Sequence, residues 1–339
     1  VIGKVLVIGT GSWGTAAAGL AAVNCAQVVL WARSLEVARG INATRKNPRH
    51  LRSYLLPSNV TATHDRAEAA CGAEAVVVAV PSNHLRSVLK GFTGLIDAEV
   101  PVVVLTKGIE PTSHLLMCEV VADVLGGEAR VCALSGPNHA EEISQGMVSA
   151  AVVGSASDRV AGLFQELFLN PHFRVYRTDD LRGVEVCAAV KNVIAIACGL
   201  SVGYGMGDNA TAVLMTRGLA EMSRVVHALG GNAMTCMGLA GMGDLVVTCS
   251  SGHSRNRTFG VSLARGATLE GFERSTGMVV EGARAVISVR ELSRELHIET
   301  PITAAVHAIL YEGQGFEDAA RTLLARIPDE EFYGLPTNE

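Results

Sequence analysis

The chain has 339 residues, 49% of them hydrophobic, with 28 basic against 33 acidic side chains. That length accommodates two domains with ordinary cores, and a mildly acidic balance without long single-sign runs excludes the electrostatic footprint of a nucleic-acid binder, so a small-molecule partner is expected. No uninterrupted apolar run reaches the ~18 residues needed to cross a bilayer, which argues against a membrane span.

The chain opens on Lys4 followed by apolar and small residues, a pattern superficially like a secretory signal, but glycines at 9, 11 and 14 interrupt it. "KVLVIGTGSWGTAAAGLA" sets Gly9, Gly11 and Gly14 as G-x-G-x-x-G between a Val/Ile/Leu strand and an Ala-rich helix over 12–24. In that context the first glycine permits a tight turn, the second lets backbone approach a pyrophosphate, and the third allows close helix–strand packing. The second strand ends "VVLWARS" without the Asp or Glu that would hold a ribose 2′-hydroxyl; Arg33 stands there instead, and a guanidinium suits a 2′-phosphate. A solvated surface arginine is the lesser alternative, and the cofactor expectation is NAD or NADP.

Further Val-rich runs follow at 75–80, 101–106, 130–135 and 149–155, with a helix over 114–125 among them. Continuous apolar strands are buried on both faces, as in a parallel sheet covered by helices. The fold class expected is therefore an α/β, doubly wound N-terminal domain of Rossmann type. Beyond about residue 180 the strand signal stops, and helices are predicted over 183–203, 209–229, 254–265, 280–297, 302–312 and 316–326. The expected division is a dinucleotide-binding domain at 1–182, a mostly α-helical substrate-binding and catalytic domain at 183–327, and a C-terminal tail at 328–339. The eight cysteines are scattered, form no C-x-x-C pair and mostly sit in apolar runs, as free thiols of a reducing, cytoplasmic setting do.

Candidate chemical groups fall past strand ends and at helix starts. "PVVVLTKGIEP" puts Lys107 just beyond a strand, although alone it reads as well as a solvated loop lysine. "RVCALSGPNHAEE" ends a strand at Ser135-Gly136 and starts a helix whose free amides can hold an anion or a carbonyl. "AAVKNVIAIACG" carries Lys191 and Asn192 inside an apolar helix. A buried ammonium loses its proton or finds a partner, so Lys191 either snorkels to water or has a chemical use. Asp244 lies between a glycine and an apolar run, poorly placed for a solvated face. Ser254 reads as a helix N-cap, with Arg255 and Arg257 in the first turn, where the helix dipole opposes cations by about 0.3–1 kcal/mol each. A bound phosphate resolves that conflict, with Asn256 adding neutral donors; arginines pointing into solvent resolve it too. Metal binding finds no ligand set among the ten histidines.

Taken in order, GTGSWGTA, VLTKGIE, SGPNHA, AAVKNVIAIACG, LAGMGDLVVTC, SRNRTFG and VVEG resemble the NAD(P)-dependent sn-glycerol-3-phosphate dehydrogenases of bacterial type, from residue 4 to about 327. The resemblance implies interconversion of dihydroxyacetone phosphate and sn-glycerol 3-phosphate, a role in glycerophospholipid synthesis, a cytoplasmic location and a homodimer. It also implies Lys191 as the proton-transferring lysine. Lys107, Gly136, Lys191, Asp244, Ser254, Arg255 and Asn256 fall at substrate-contacting positions. Ser12, Trp13, Arg33, Lys107, Ala140, Arg255, Val279 and Glu281 fall at cofactor-contacting ones. Asn138 stands where similar proteins have Thr or Ser, so an amide replaces a hydroxyl there, and Asn192 is placed to fix a substrate hydroxyl. Lys107 and Asp244 join Lys191 as the catalytic set, Lys107 lowering its pKa and Asp244 offsetting the cost of its charge. Two other readings stay open: a related β-hydroxyacid or sugar-acid-phosphate dehydrogenase, and a non-catalytic dinucleotide-sensing protein.

Overall fold

The computed structural model describes residues 2–111, 113–327, 330, 331 and 333–335. It divides into two compact units, one made of 1–106 and 117–181, the other of 107–116 and 182–339. The excursion 107–116, which carries Lys107, thus belongs with the helical unit although the sequence reading placed it in the first. Of the expected tail, residues 328, 329, 332 and 336–339 lie outside the described residues.

The first unit alternates strands and helices: β1 Ile2–Ile8, α1 Ser12–Ala21, β2 Cys25–Trp31, α2 Leu35–Thr44, β3 Val60–Thr63, α3 Arg66–Ala70, β4 Ala75–Val78, α4 Leu85–Lys90, β5 Val102–Val104, α5 Met117–Leu125, β6 Val131–Ser135, α6 Ala140–Ile143, β7 Ser149–Gly154, α7 Asp158–Phe168 and β8 Phe173–Thr178. One sheet results, in the order β3-β2-β1-β4-β5-β6-β7-β8. Its first six strands are parallel; β7 runs antiparallel to β6 and parallel to β8. The sheet is thus parallel apart from the β6–β7 pairing, as the doubly wound α/β reading expects. The strands missed in the sequence, β3 and β8, are the two edges. In β8 only Phe173 and Val175 are buried while Arg174, Tyr176 and Arg177 are not, so no continuous apolar run marks it. The interior strands β4 and β5 are buried at every residue. Chain order reverses between β1 and β4, and the carboxyl end of such a switch point is where open α/β sheets bind ligands.

The second unit is helical: α8 Leu181–Gly203, α9 Gly207–Ala228, α10 Asp244–Ser250, α11 Arg255–Ala264, α12 Leu269–Thr276, α13 Glu281–Glu295, α14 Pro301–Tyr311 and α15 Phe316–Leu324. The 23-residue α8 is long and apolar enough to cross a membrane, but 89% of its apolar window is buried inside the protein, so it is the core helix of this unit. A Cβ on Gly199 of α8 would overlap the Arg257 carbonyl, and one on Gly260 of α11 would overlap the Ile196 carbonyl. The two backbones therefore touch, which fixes the start of α11 relative to Lys191. The eight cysteines form no disulfide, and all but Cys71 are buried.

Candidate active site

In the first unit the glycine-rich turn lies at the switch point. Gly9 has φ +115° and donates its amide to the Trp31 carbonyl at 3.2 Å. A side chain there would also strike the Ala79 carbonyl beyond β4, and one on Gly14 would strike the Gly9 carbonyl. At Gly11 an added Cβ would meet nothing within 4 Å. Gly11 is the N-cap of α1, with no side-chain cap and no acidic residue in the first turn. Uncapped amides at the positive end of a ten-residue helix, beside open space, suit a pyrophosphate. The residues present thus fit a dinucleotide.

Around that turn, Ser12 and Trp13 begin α1. The Trp13 ring sits 6.5 Å from Phe173, while its Nε1 is buried without a hydrogen-bond partner among the described residues. Arg33 is exposed just past the end of β2. Gly136, with φ +154°, follows β6 directly, and Asn138 has a buried Nδ2 with no partner among the described residues. Ala140 is the buried first residue of α6.

The second unit gathers Lys107, Lys191 and Asp244. Lys191 is only 5% exposed, which removes the snorkelling alternative. Its Nζ donates to Asp244 Oδ1 at 2.5 Å and to Thr248 Oγ1 at 2.7 Å. Lys107 Nζ donates to the other oxygen, Oδ2, at 2.7 Å. Thr248 returns its own hydrogen to Asp244 Oδ1 at 3.2 Å. A π-helical turn, Leu239–Gly243, runs into α10 and delivers Asp244 at its first position. Thr248, four residues on, occupies the same helix face. That i, i+4 spacing was the only sequence signal for Thr248, and the sequence reading missed it.

Two ammonium groups share one buried carboxylate, so the cations of the cluster outnumber the anion. Burial, reinforced by the Lys107 charge, holds the Lys191 ammonium down at about 8 against the opposing pull of Asp244. Burial alone would raise the Asp244 carboxyl, yet the two ammonium groups and their hydrogen bonds keep it below its ordinary value. A lysine titrating near 8 is charged at neutral pH and gives up its proton readily, the condition for a general acid.

The start of α11 is built as the sequence suggested. Ser254 caps it, its Oγ accepting the Arg257 amide at 3.2 Å. Arg255 is exposed, and Arg257 has a buried Nε without a partner among the described residues. Asn256 donates to Asn192 Oδ1 at 2.9 Å and accepts the Gly282 amide at 2.9 Å. Asn192 gives its own Nδ2 to the Ala188 carbonyl at 3.1 Å. The two amides therefore form a strut joining α8, α11 and α13. Each amide donates one hydrogen and accepts one bond within the strut, so Asn192, expected to hold a substrate hydroxyl, and Asn256 both keep a second amide hydrogen. Val279 and Glu281 are half-buried at the entry to α13, which is held by Glu273 accepting the Val280 amide at 2.8 Å and pairing with Arg284.

A seat for an anionic dinucleotide and a buried, readily ionised acid are the two requirements for moving a hydride to or from a carbonyl carbon. They define the class: NAD(P)-dependent dehydrogenases. The comparisons narrow it. The profile described as NAD-dependent glycerol-3-phosphate dehydrogenase N-terminus matches residues 4–161, and its C-terminus counterpart matches 180–321. A glycerol-3-phosphate dehydrogenase (NAD(P)+) of Thermobifida fusca is 45% identical over 98% of this chain and 99% of its own. That of Oleidesulfovibrio alaskensis is 46% identical over 97% of this chain and 100% of its own. The crystal structure of glycerol-3-phosphate dehydrogenase from Coxiella burnetii superposes with a TM-score of 0.90 at 36% identity, covering 96% of this chain and 99% of that one. The chain belongs to the NAD-dependent glycerol-3-phosphate dehydrogenase family.

Proposed function

We propose that the protein interconverts dihydroxyacetone phosphate and sn-glycerol 3-phosphate, with Lys191 as the proton donor in reduction and acceptor in oxidation. The observation that carries this reading is the Lys107–Asp244–Lys191 chain, with Lys191 and Asp244 buried and contacts of 2.7 and 2.5 Å. NAD(P)H, when bound, supplies the hydride that adds to the carbonyl carbon.

Negative charge then develops on the carbonyl oxygen. The net positive cluster stabilises it, and Lys191 releases its proton to it, a contribution on the order of 10²–10⁴-fold. Asp244 keeps Lys191 charged before the step and holds its Nζ in one orientation. Lys107, the more exposed end of the chain, lowers the affinity of Lys191 for its proton and adds a second cation for an anionic substrate. The phosphate is assigned to Arg255, the Ser254 hydroxyl and the remaining amide hydrogen of Asn256, with Gly136, Asn138 and Asn192 as further substrate contacts. Gly9, Gly11, Ser12, Trp13, Gly14, Arg33 and Ala140, with Lys107, Arg255, Val279 and Glu281, are assigned to the cofactor. We assign the protein to the cytoplasm, as a homodimer feeding glycerophospholipid synthesis.

The test is absorbance of reduced cofactor at 340 nm with dihydroxyacetone phosphate, using NADH and NADPH separately. Turnover with that ketone and none with β-keto acids or sugar-acid phosphates is expected; the reverse preference would overturn the reading, and binding without any turnover would favour a sensor.

A further inference from the structure

Asn47 lies outside every motif discussed so far, in the loop after α2, yet its side chain is fully buried. Its Nδ2 donates to the Thr10 carbonyl at 2.8 Å and to the Thr15 hydroxyl at 2.8 Å. Its Oδ1 accepts the amides of Arg49 at 2.9 Å and His50 at 3.1 Å. Both hydrogens and both lone pairs of the amide are used, so the group has one orientation.

Thr10 is the residue between the first two glycines of the turn. In a planar trans peptide the carbonyl of one residue and the N–H of the next point in opposite directions. Holding the Thr10 carbonyl toward Asn47 therefore turns the Gly11 N–H to the other side. The Gly11 carbonyl is fixed as well, since it accepts the Thr15 amide at 2.9 Å. A Gly-x-Gly turn without such an anchor has free rotation about several bonds, and a backbone donor that must first be ordered binds an anion less tightly.

We propose that Asn47 is a positioning residue for the cofactor, locking the Thr10–Gly11 peptide so that the Gly11 amide is set for a dinucleotide pyrophosphate. The Thr15 bond ties the same side chain to α1 but leaves that peptide alone. The inference rests on the glycine-rich turn being the pyrophosphate seat.

Titration of reduced-nicotinamide fluorescence gives the Kd of NADH and NADPH, and competition gives that of ADP-ribose and of AMP, which lacks the diphosphate bridge. For Asn47→Ala, the Kd of both dinucleotides and of ADP-ribose is expected to rise about tenfold or more, while that of AMP stays within about twofold. Thr15→Val should lower the melting temperature yet leave dinucleotide Kd within about twofold, because the Thr10 clamp survives. If the alanine variant does not fold, Asn47→Asp, which keeps the size and both accepted bonds but cannot donate, carries the same test. A folded Asn47 variant with wild-type NADH affinity would overturn the inference alone, as would equal weakening of AMP and NADH. Wild-type protein that binds no dinucleotide would overturn the reading beneath it.

Discussion

Replacing Asp244 by Asn removes the one negative charge between Lys191 and Lys107 while keeping size and shape. Asp244 holds Lys191 at 2.5 Å with both side chains about 95% buried, so its loss leaves an uncompensated buried ammonium. Breaking such a pair costs on the order of 3 kcal/mol or more. The amine can relieve that cost by giving up its proton, and about 3 kcal/mol corresponds to a pKa lower by about 2. Lys191, near 8 in the parent protein, should then titrate at about 6 or below. A proton donor must be charged, so the rate of ketone reduction is full below its pKa and falls above it. At pH 7.5 roughly three quarters of Lys191 is charged in the parent and about 3% in the variant, a loss on the order of 25-fold. The assay is kcat/KM for dihydroxyacetone phosphate from pH 5 to 9, cofactor saturating. Parent activity should decline above about 8, whereas the variant should decline above about 6 and recover much of its activity near pH 5.5. A variant whose decline stays near 8, or whose loss is uniform across pH, would refute the idea that Asp244 acts by sustaining the Lys191 charge.

Three further outcomes are expected. Arg33→Ala should weaken NADPH by about tenfold and leave NADH nearly unchanged, read as the ratio of the two Kd values; equal effects would make Arg33 a surface arginine. Gly260→Ala places a methyl against the Ile196 carbonyl, so urea unfolding should show a loss of about 1–3 kcal/mol, and KM for the ketone should rise as α11 is pushed from α8. Burial raises the Glu221 carboxyl to about 7 from 4.5, although it accepts the Ile302 and Thr303 amides at the start of α14. The native state then holds a proton that the unfolded chain releases between these values, so the contribution is complete below about 4.5 and lost by about 7, at most about 3 kcal/mol. Glu221→Gln should flatten the urea midpoint between pH 5 and 7.5, and an unchanged slope would count against it.

What the sequence disclosed follows from what burial does to composition. β1, β2 and β4 to β6 sit inside the sheet, and their Val-rich runs announced them. β3 and β8, on the edges, mix Thr, Arg and Tyr with their apolar residues and did not. Lys191 and Asp244 stood out because charge inside an apolar run is costly and demands an explanation. That they meet, and that Lys107 joins them, was not readable from spacing, since 137 positions separate Lys107 from Asp244. The Asn192–Asn256 pairing was likewise hidden, because polar residues next to a candidate site read as ligand contacts until their partners are seen. Asn47 precedes a proline, which reads as turn chemistry, and its target carbonyl lies 37 positions away.

The central claim is that the buried Lys191 amine supplies the proton. Lys191→Met keeps an unbranched apolar stem out to the ε carbon and lacks the amine, so cofactor affinity and turnover can be measured on one folded protein. The account predicts NADH affinity within about twofold of the parent and kcat for dihydroxyacetone phosphate lowered by at least about 100-fold. Retention of kcat within about tenfold in that variant would contradict it.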